Sequence, residues 1–305
     1  MTPKVSFYTR SSLSPSELDL GDNFVLLHGD QLDDRGELAI SLGAVGRGVD
    51  GALVRYDDDE MTLSVNGEKS SADSGAALFD NLPAGKPVVL EATTLGFAEL
   101  FLSIRALMDR SVTRIEIIYV EPLDYTRRKG ADQYALSDLI KGYKPIPNSI
   151  VDLNSDDLEA GVFFLGFESE RLDRALEEHQ MIAGKNIKVV FGIPAFQPGW
   201  ELNSIVPHLS RLSEQGVSVE IAYCAANDPE AAFESLEAAR DTLGDGKSMF
   251  VAPIGTKPCG IASAIFASLY PHQSGVIFDH PKKKDKRSEG SGLWHRYTIV
   301  LDYGD

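Results

Sequence analysis

Gly255, Thr256 and Lys257 are the residues whose types and spacing best suit chemistry. They stand in the stretch SMFVAPIGTKPCGIASAIFA, residues 248–267, which reads as a buried strand, a turn and an apolar helix. A strand that feeds a turn into a helix start turns free backbone N–H groups and the positive end of the helix dipole into one space. Such a corner suits an anion, and Lys257 adds a full charge. The turn is not the phosphate loop of nucleoside triphosphatases, because the earlier glycine and the hydroxyl residue after the lysine are missing. Thr256 has an alternative role as the helix cap, and Lys257 an alternative as a solvated side chain. A cation in a first helical turn is mildly unfavourable against the dipole, which favours a bound anion there.

In open α/β sheets ligands sit beyond the carboxyl ends of the strands. Three more turns should gather there, at 166–169, 192–197 and 225–228, bringing Gly166, Glu168, Pro194, Phe196 and Asp228. Glu168 suits a ribose hydroxyl, a general base or a helix cap. Asp228, followed by Pro229, suits a base or, better, a cap with proline at the first helical position. Phe196 and Trp200 stack on a base or pack. Lys282 opens the basic loop KKKDKR, residues 282–287, which completes an anion pocket, meets an acidic partner or is a solvated hairpin. His280 and His295 flank that loop, with structural and chemical roles both open. Cys259 lies at a helix start, where thiolate is favoured, but no histidine adjoins it in sequence. The set lacks an evident nucleophile–base pair.

The elements that must position these residues alternate. Strands are expected at 24–27, 52–56, 61–65, 86–92, 114–120, 161–166, 187–193, 217–224, 248–253, 276–279 and 294–301. The first twenty residues read as a lead-in, 29–37 as a polar turn, and 40–47 as a glycine-rich connection without dinucleotide spacing. Residues 121–148 read as a long surface connection, with 141–148 as the domain boundary. Leu100, Phe101, Ile104, Leu107 and Met108 share one helical face between two strands, a βαβ unit. The expected fold is α/β: two Rossmann-like halves, 1–145 and 146–305, with mostly parallel sheets flanked by helices and the ligand in the second. Residues 88–100 and 189–202 echo each other as strand, turn and Glu-Leu helix opening, as related halves or as any two βαβ units would.

Bulk properties narrow the partners. A chain of 305 residues is long enough for two cores, and its formal charge of −17 repels polyphosphate, which argues against duplex nucleic acid. A local basic pocket for a small anion remains compatible with that charge. Two cysteines, Cys224 and Cys259, suggest neither a disulfide framework nor a metal site. No signal-length or membrane-length apolar run is visible, so a cytoplasmic protein without membrane contact is expected. The run Asp57, Asp58, Asp59 lacks the glycine and closing glutamate of a calcium loop and reads as a solvated turn.

Through VAPIGTKPCGIASAIFA the chain resembles the phosphate-side motif of CRISPR-associated Rossmann-fold sensor domains and their fused-pair relatives. The resemblance implies that Gly255, Thr256 and Lys257 contact a cyclic oligonucleotide or similar second messenger. It also implies a bacterial antiphage role, and the two halves suit a fused pair. No effector domain is visible in the sequence, so a separate effector protein is the expected partner, and a homodimer is a further arrangement to test. No cofactor is expected. Two alternatives stand beside this sensor: a nucleotide or nucleoside hydrolase or phosphotransferase with Glu168 or Asp228 as base, and a non-catalytic scaffold subunit.

Overall fold

The apolar runs become strands of two separate main sheets in the computed structural model, which describes residues 2–45, 48–127, 134, 136–178, 182, 184–215 and 218–304. In chain order the strands begin with β1 (Lys4–Ser12), β2 (Val25–His28), β3 (Asp50–Asp57), β4 (Thr62–Val65), β5 (Glu68–Ser71), β6 (Val88–Glu91) and β7 (Arg114–Tyr125). They continue with β8 (Ser137–Ile140), β9 (Leu158–Leu165), β10 (Asn186–Gly192), β11 (Val219–Cys224), β12 (Ser248–Pro253), β13 (Ser274–Val276), β14 (Pro281–Lys283) and β15 (Ser288–Asp302). The helices are α1 (Asp34–Val45), α2 (Phe97–Asp109), α3 (Ser169–Glu178), α4 (Trp200–Gln215), α5 (Pro229–Arg240) and α6 (Lys257–Leu269). The expected α/β class holds, with Rossmann-like alternation and helices flanking the sheets.

Two units divide the chain: Met1–Thr126 with Asp285–Asp305, and Arg127–Lys284. The contiguous division at 145/146 is corrected by this. β15 returns to the first sheet and pairs with β1 and β7, and the second unit begins before 146 with β8. The lead-in is β1, whose partner lies at the far end of the chain. Residues 34–45, within the stretches read as a polar turn and a connection, form α1, while 46 and 47 lie outside the described residues.

The first unit's sheet runs β1-β15-β7-β6-β2-β3-β4-β5. Its centre, β7-β6-β2-β3, is parallel, and its flanks are antiparallel. Counting only the parallel strands, the order is second, first, third, fourth, so it reverses between β2 and β6. Asn66 and Gly67 both take positive φ in the tight turn between β4 and β5, as an Asn-Gly hairpin requires. Leu100, Phe101, Ile104 and Leu107 are buried, as the helical spacing on α2 predicts.

The second unit's five-stranded sheet runs β11-β10-β9-β12-β13 and is parallel throughout. Its chain order is therefore 3-2-1-4-5, reversing between β9 and β12. Phe163, Phe164, Phe191 and Phe250 are fully buried. Each contributes about 1.5–3 kcal/mol by leaving water, which makes the central strands the stable base for the loops at their ends. Gly161 is required in β9, because an added Cβ would lie 2.1 Å from the Phe250 ring on β12. A small antiparallel ribbon pairs β14 with β8, so Lys282 lies on a strand opposite Leu139 instead of in an open loop. No described helix is long and apolar enough to cross a membrane.

Candidate functional site

The reversal between β9 and β12 puts the turns that follow them side by side. Gly166 leaves β9 and Gly255 follows β12. A Cβ on Gly166 would lie 3.1 Å from the Ile254 carbonyl oxygen, and one on Gly255 would lie 3.1 Å from the Phe164 backbone. Glycine at both positions lets the two backbones meet without a side chain between them. Gly192, at the end of β10, is packed likewise against Ala226, its absent Cβ 3.1 Å from the Ala226 Cβ. Gly166, Gly192, Thr256 and Gly255 thus belong to one packed corner, as the sequence suggests.

Thr256 is the N-cap residue of α6, yet its side chain caps nothing. Its hydroxyl donates to the Ala226 carbonyl at 2.8 Å and lies 3.2 Å from Cys259 Sγ. The alternative of a side-chain cap at Thr256 is therefore not realised: the hydroxyl ties α6 to the turn after β11. Lys257 is half-buried at the first position of α6. The first turn of α6 has no acidic residue, whereas α3, α4 and α5 open with Glu170, Glu201 and Glu230. Acids at the other starts complement their dipoles, whereas α6 opens with a cation.

The remaining strand-end residues are spread over structural roles. Glu168 accepts hydrogen bonds from the Leu136 and Ser137 backbone N–H groups at 3.1 and 2.8 Å and from the Ser137 hydroxyl at 3.0 Å, which anchors β8. Asp228 caps α5, accepting from the Glu230 and Ala231 N–H groups. Both carboxylates proposed as bases are thus in use by the fold. Pro194 follows a cis peptide bond, is exposed, and accepts from the Ala226 N–H at 2.9 Å through its carbonyl. Phe196 is half-buried in the same turn. Trp200 packs with Phe167 and Tyr134, ring centroids 5.9 and 5.7 Å away, so it serves packing. Lys282 is exposed on β14.

Sequence reasoning missed three buried groups around this corner, Arg171, Asp279 and His208, and the pairing of the two cysteines. Arg171, in the first turn of α3, donates two hydrogen bonds to Asp279 at 2.7 and 2.5 Å and one to the Ile254 carbonyl at 3.1 Å. Burial works to lower the Arg171 pKa, but the Asp279 carboxylate outweighs it and the group ends above its ordinary value. His208 on α4 is fully buried, and burial pushes its pKa down to about 4. Its Nε2 lies 3.1 Å from the Gly166 carbonyl, which also accepts from the Ser204 hydroxyl at 2.7 Å, while Nδ1 is buried without a partner. Cys224 and Cys259 approach to 4.0 Å as buried thiols, a proximity their separation in sequence hides. The Cys224 hydrogen bond, the largest contribution, and those from Thr256 lower the Cys259 pKa, so it is the more acidic of the two.

No family model matches the chain, and no curated protein matches it either.

The histidines near the basic segment are structural. His280 is buried with Nε2 3.2 Å from the Lys144 carbonyl. His295 on β15 bridges Ser11 and Glu121, at 2.7 Å on either side. Serine, histidine and carboxylate in a line are the residue types of a hydrolytic triad. The His295 ring, however, is 1% exposed and lies between Tyr119 and Tyr297, centroids 6.3 and 5.6 Å away. The bridge therefore ties three adjacent strands together. Among the described residues no cluster of three or more histidine, cysteine, aspartate or glutamate side chains is arranged to hold a metal ion. Asp57 instead closes its own turn by accepting from the Asp59 and Glu60 N–H groups.

Proposed function

We propose that the chain is a cytoplasmic binding protein for a phosphate-bearing nucleotide ligand, acting as a sensor or adaptor that passes the bound state to a separate effector protein. The reading rests on one observation. At the point where the second sheet reverses order, α6 opens with Thr256 and Lys257, without an acid in its first turn, beside the close glycine pair Gly166 and Gly255. A helix start in that position offers amides and a positive dipole end, and Lys257 adds charge. Binding without turnover is the better reading because Glu168 and Asp228 are already engaged by backbone N–H groups. The resemblance to CRISPR-associated Rossmann-fold sensors makes a cyclic oligonucleotide of bacterial defence the first ligand to try.

Calorimetry against a panel of cyclic and linear nucleotides tests this. We expect one class to bind the wild type and to lose at least about tenfold in affinity in Lys257→Ala, the loss of one charge-assisted contact of about 1.4 kcal/mol or more. Binding heat that is unchanged by the substitution sinks the site. Turnover of a nucleotide that disappears in Glu168→Gln favours the hydrolase reading instead.

A further inference from the structure

The first unit carries a second concentration of positive charge, built from Arg35 and Arg287. Arg35 stands in the first turn of α1 and is 2% exposed. It donates to the Ser288 hydroxyl at 2.8 Å, the Val120 carbonyl at 2.9 Å and the Asp33 carboxylate at 3.2 Å. Asp33 also accepts from the Ser288 hydroxyl at 2.5 Å and the Gly36 N–H at 3.0 Å. Its lone pairs are therefore largely committed.

Arg287 enters the same cluster from the residue just before β15. The backbone holds it there: the Lys286 N–H donates to the Leu32 carbonyl at 2.7 Å, and the Thr126 N–H donates to the Arg287 carbonyl at 2.9 Å. The Arg287 side chain is 15% exposed, its Nε is buried without a hydrogen-bond partner, and the nearest approach to Asp33 is 3.9 Å. Burial first, and then the charge of Arg35, push the Arg287 pKa below its ordinary value. Two other buried carboxylates of the first unit are engaged elsewhere: Glu91 by the Thr93 and Thr94 N–H groups and Glu121 by His295. Among the described residues two guanidinium groups thus share one aspartate, and the outer one, 3.9 Å from it, has no matched acceptor. A buried cation in that condition costs free energy unless an anion joins it.

We infer that Arg287, backed by Arg35, forms an anion site in the first unit that takes a phosphate group. The planar fork of a guanidinium matches phosphate oxygens in pairs. Arg287 contacts the anion through its solvent-facing edge, and Arg35 adds field from beneath while staying bonded to Asp33. The site lies beyond the carboxyl end of β2, next to the reversal between β2 and β6, where open α/β sheets take ligands. It is independent of the reading given above for Lys257.

The test uses the full chain and inorganic phosphate, with a nucleoside monophosphate in a parallel arm. Thermal unfolding is followed in phosphate and in chloride at equal ionic strength. We expect a saturable rise in Tm, about 5 °C at a concentration a hundredfold above Kd, in the wild type and in Lys257→Ala alike. In Arg287→Gln the rise disappears, and the Tm in chloride equals or exceeds the wild-type value. A rise kept in Arg287→Gln, or lost only in Lys257→Ala, overturns the site. If Arg287→Gln does not fold, the wild type still decides. Phosphate should slow modification of Arg287 by an arginine-specific dicarbonyl at least about threefold, read by peptide mass spectrometry, and no protection overturns the site. A nucleoside monophosphate that protects at lower concentration than phosphate identifies the anion as part of a nucleotide; equal protection identifies free phosphate as sufficient.

Discussion

Each unit sets an arginine in the first turn of the helix that follows its first parallel strand, and the two are balanced differently. In the second unit Arg171 meets Asp279 one to one, through two short hydrogen bonds. In the first, Arg35 shares Asp33 with Arg287, Arg35 at 3.2 Å and Arg287 at 3.9 Å. Both arginines also bind a backbone carbonyl across the sheet, Ile254 for Arg171 and Val120 for Arg35. The same device thus serves two ends. A matched buried pair fixes the geometry of a corner, whereas an unmatched second guanidinium holds charge in reserve.

The sharpest way to break that comparison is to remove each arginine. Arg171→Met leaves the Asp279 carboxylate, itself fully buried, without its partner. Removing one member of such a pair costs about 3–5 kcal/mol, so urea denaturation should show a loss of that size. Arg287→Met, in buffer without phosphate, should be neutral or stabilising. Equal losses in the two variants would show that the cations are balanced alike, and the contrast would fall.

Acid should separate the units next. His208 belongs to the second unit and remains neutral in the fold down to about pH 4, because burial disfavours its charged form. In the unfolded chain it protonates below about pH 6.5. Its contribution is therefore fully present above pH 6.5 and is lost as the pH falls toward 4, by about 3 kcal/mol. His208→Gln keeps a donor for the Gly166 carbonyl and should flatten that part of the stability–pH curve. Curves of equal slope for wild type and variant would show that the imidazole charges freely in the fold.

Much of the fold was readable from the sequence, and the losses have physical causes. The central strands announced themselves because they are apolar on both faces, as in β9 and β12. β1 did not, because KVSFYTRSS buries only Phe7 and pairs with a partner from the other end of the chain. The return of β15 was hidden for the same reason: composition marks a strand but not the sheet it joins. At the candidate site, the meeting of Gly166, Gly192, Gly255 and Thr256 was legible because turn residues after parallel strands converge by topology. Glu168 was legible as a strand-end residue but not in its structural role, because its companions, the N–H groups of Leu136 and Ser137, lie in a stretch read as a surface connection. Arg35 stood in an acidic polar segment, and only the arrival of Arg287 and Ser288 from the other end of the chain gives it meaning. The repeat between 88–100 and 189–202 paired β6 with β10, which hold different places in their sheets. By strand order β6 corresponds to β12 and β2 to β9.

That corrected correspondence makes the smallest prediction, and it concerns the glycine that leaves each first strand. Gly29 follows β2 and Gly166 follows β9, and each faces the backbone of the turn across the reversal. A Cβ on Gly29 would lie 2.6 Å from the Thr94 carbonyl oxygen, whereas one on Gly166 would lie 3.1 Å from that of Ile254. The first distance forces backbone to move; the second asks for a few tenths of an ångström. Overpacking of this kind costs about 1–3 kcal/mol, so Gly29→Ala should fall near the upper end and Gly166→Ala near the lower. The Thr94 turn is also the stiffer one, because Glu91 accepts from the Thr94 N–H and its hydroxyl, and the same hydroxyl accepts from the Gly29 N–H at 2.9 Å. A larger loss for Gly166→Ala than for Gly29→Ala, in matched denaturation curves, would mean that the second corner yields less than its contacts imply. The two reversals would then differ in rigidity as well as in charge, with the lysine-bearing corner the more rigid.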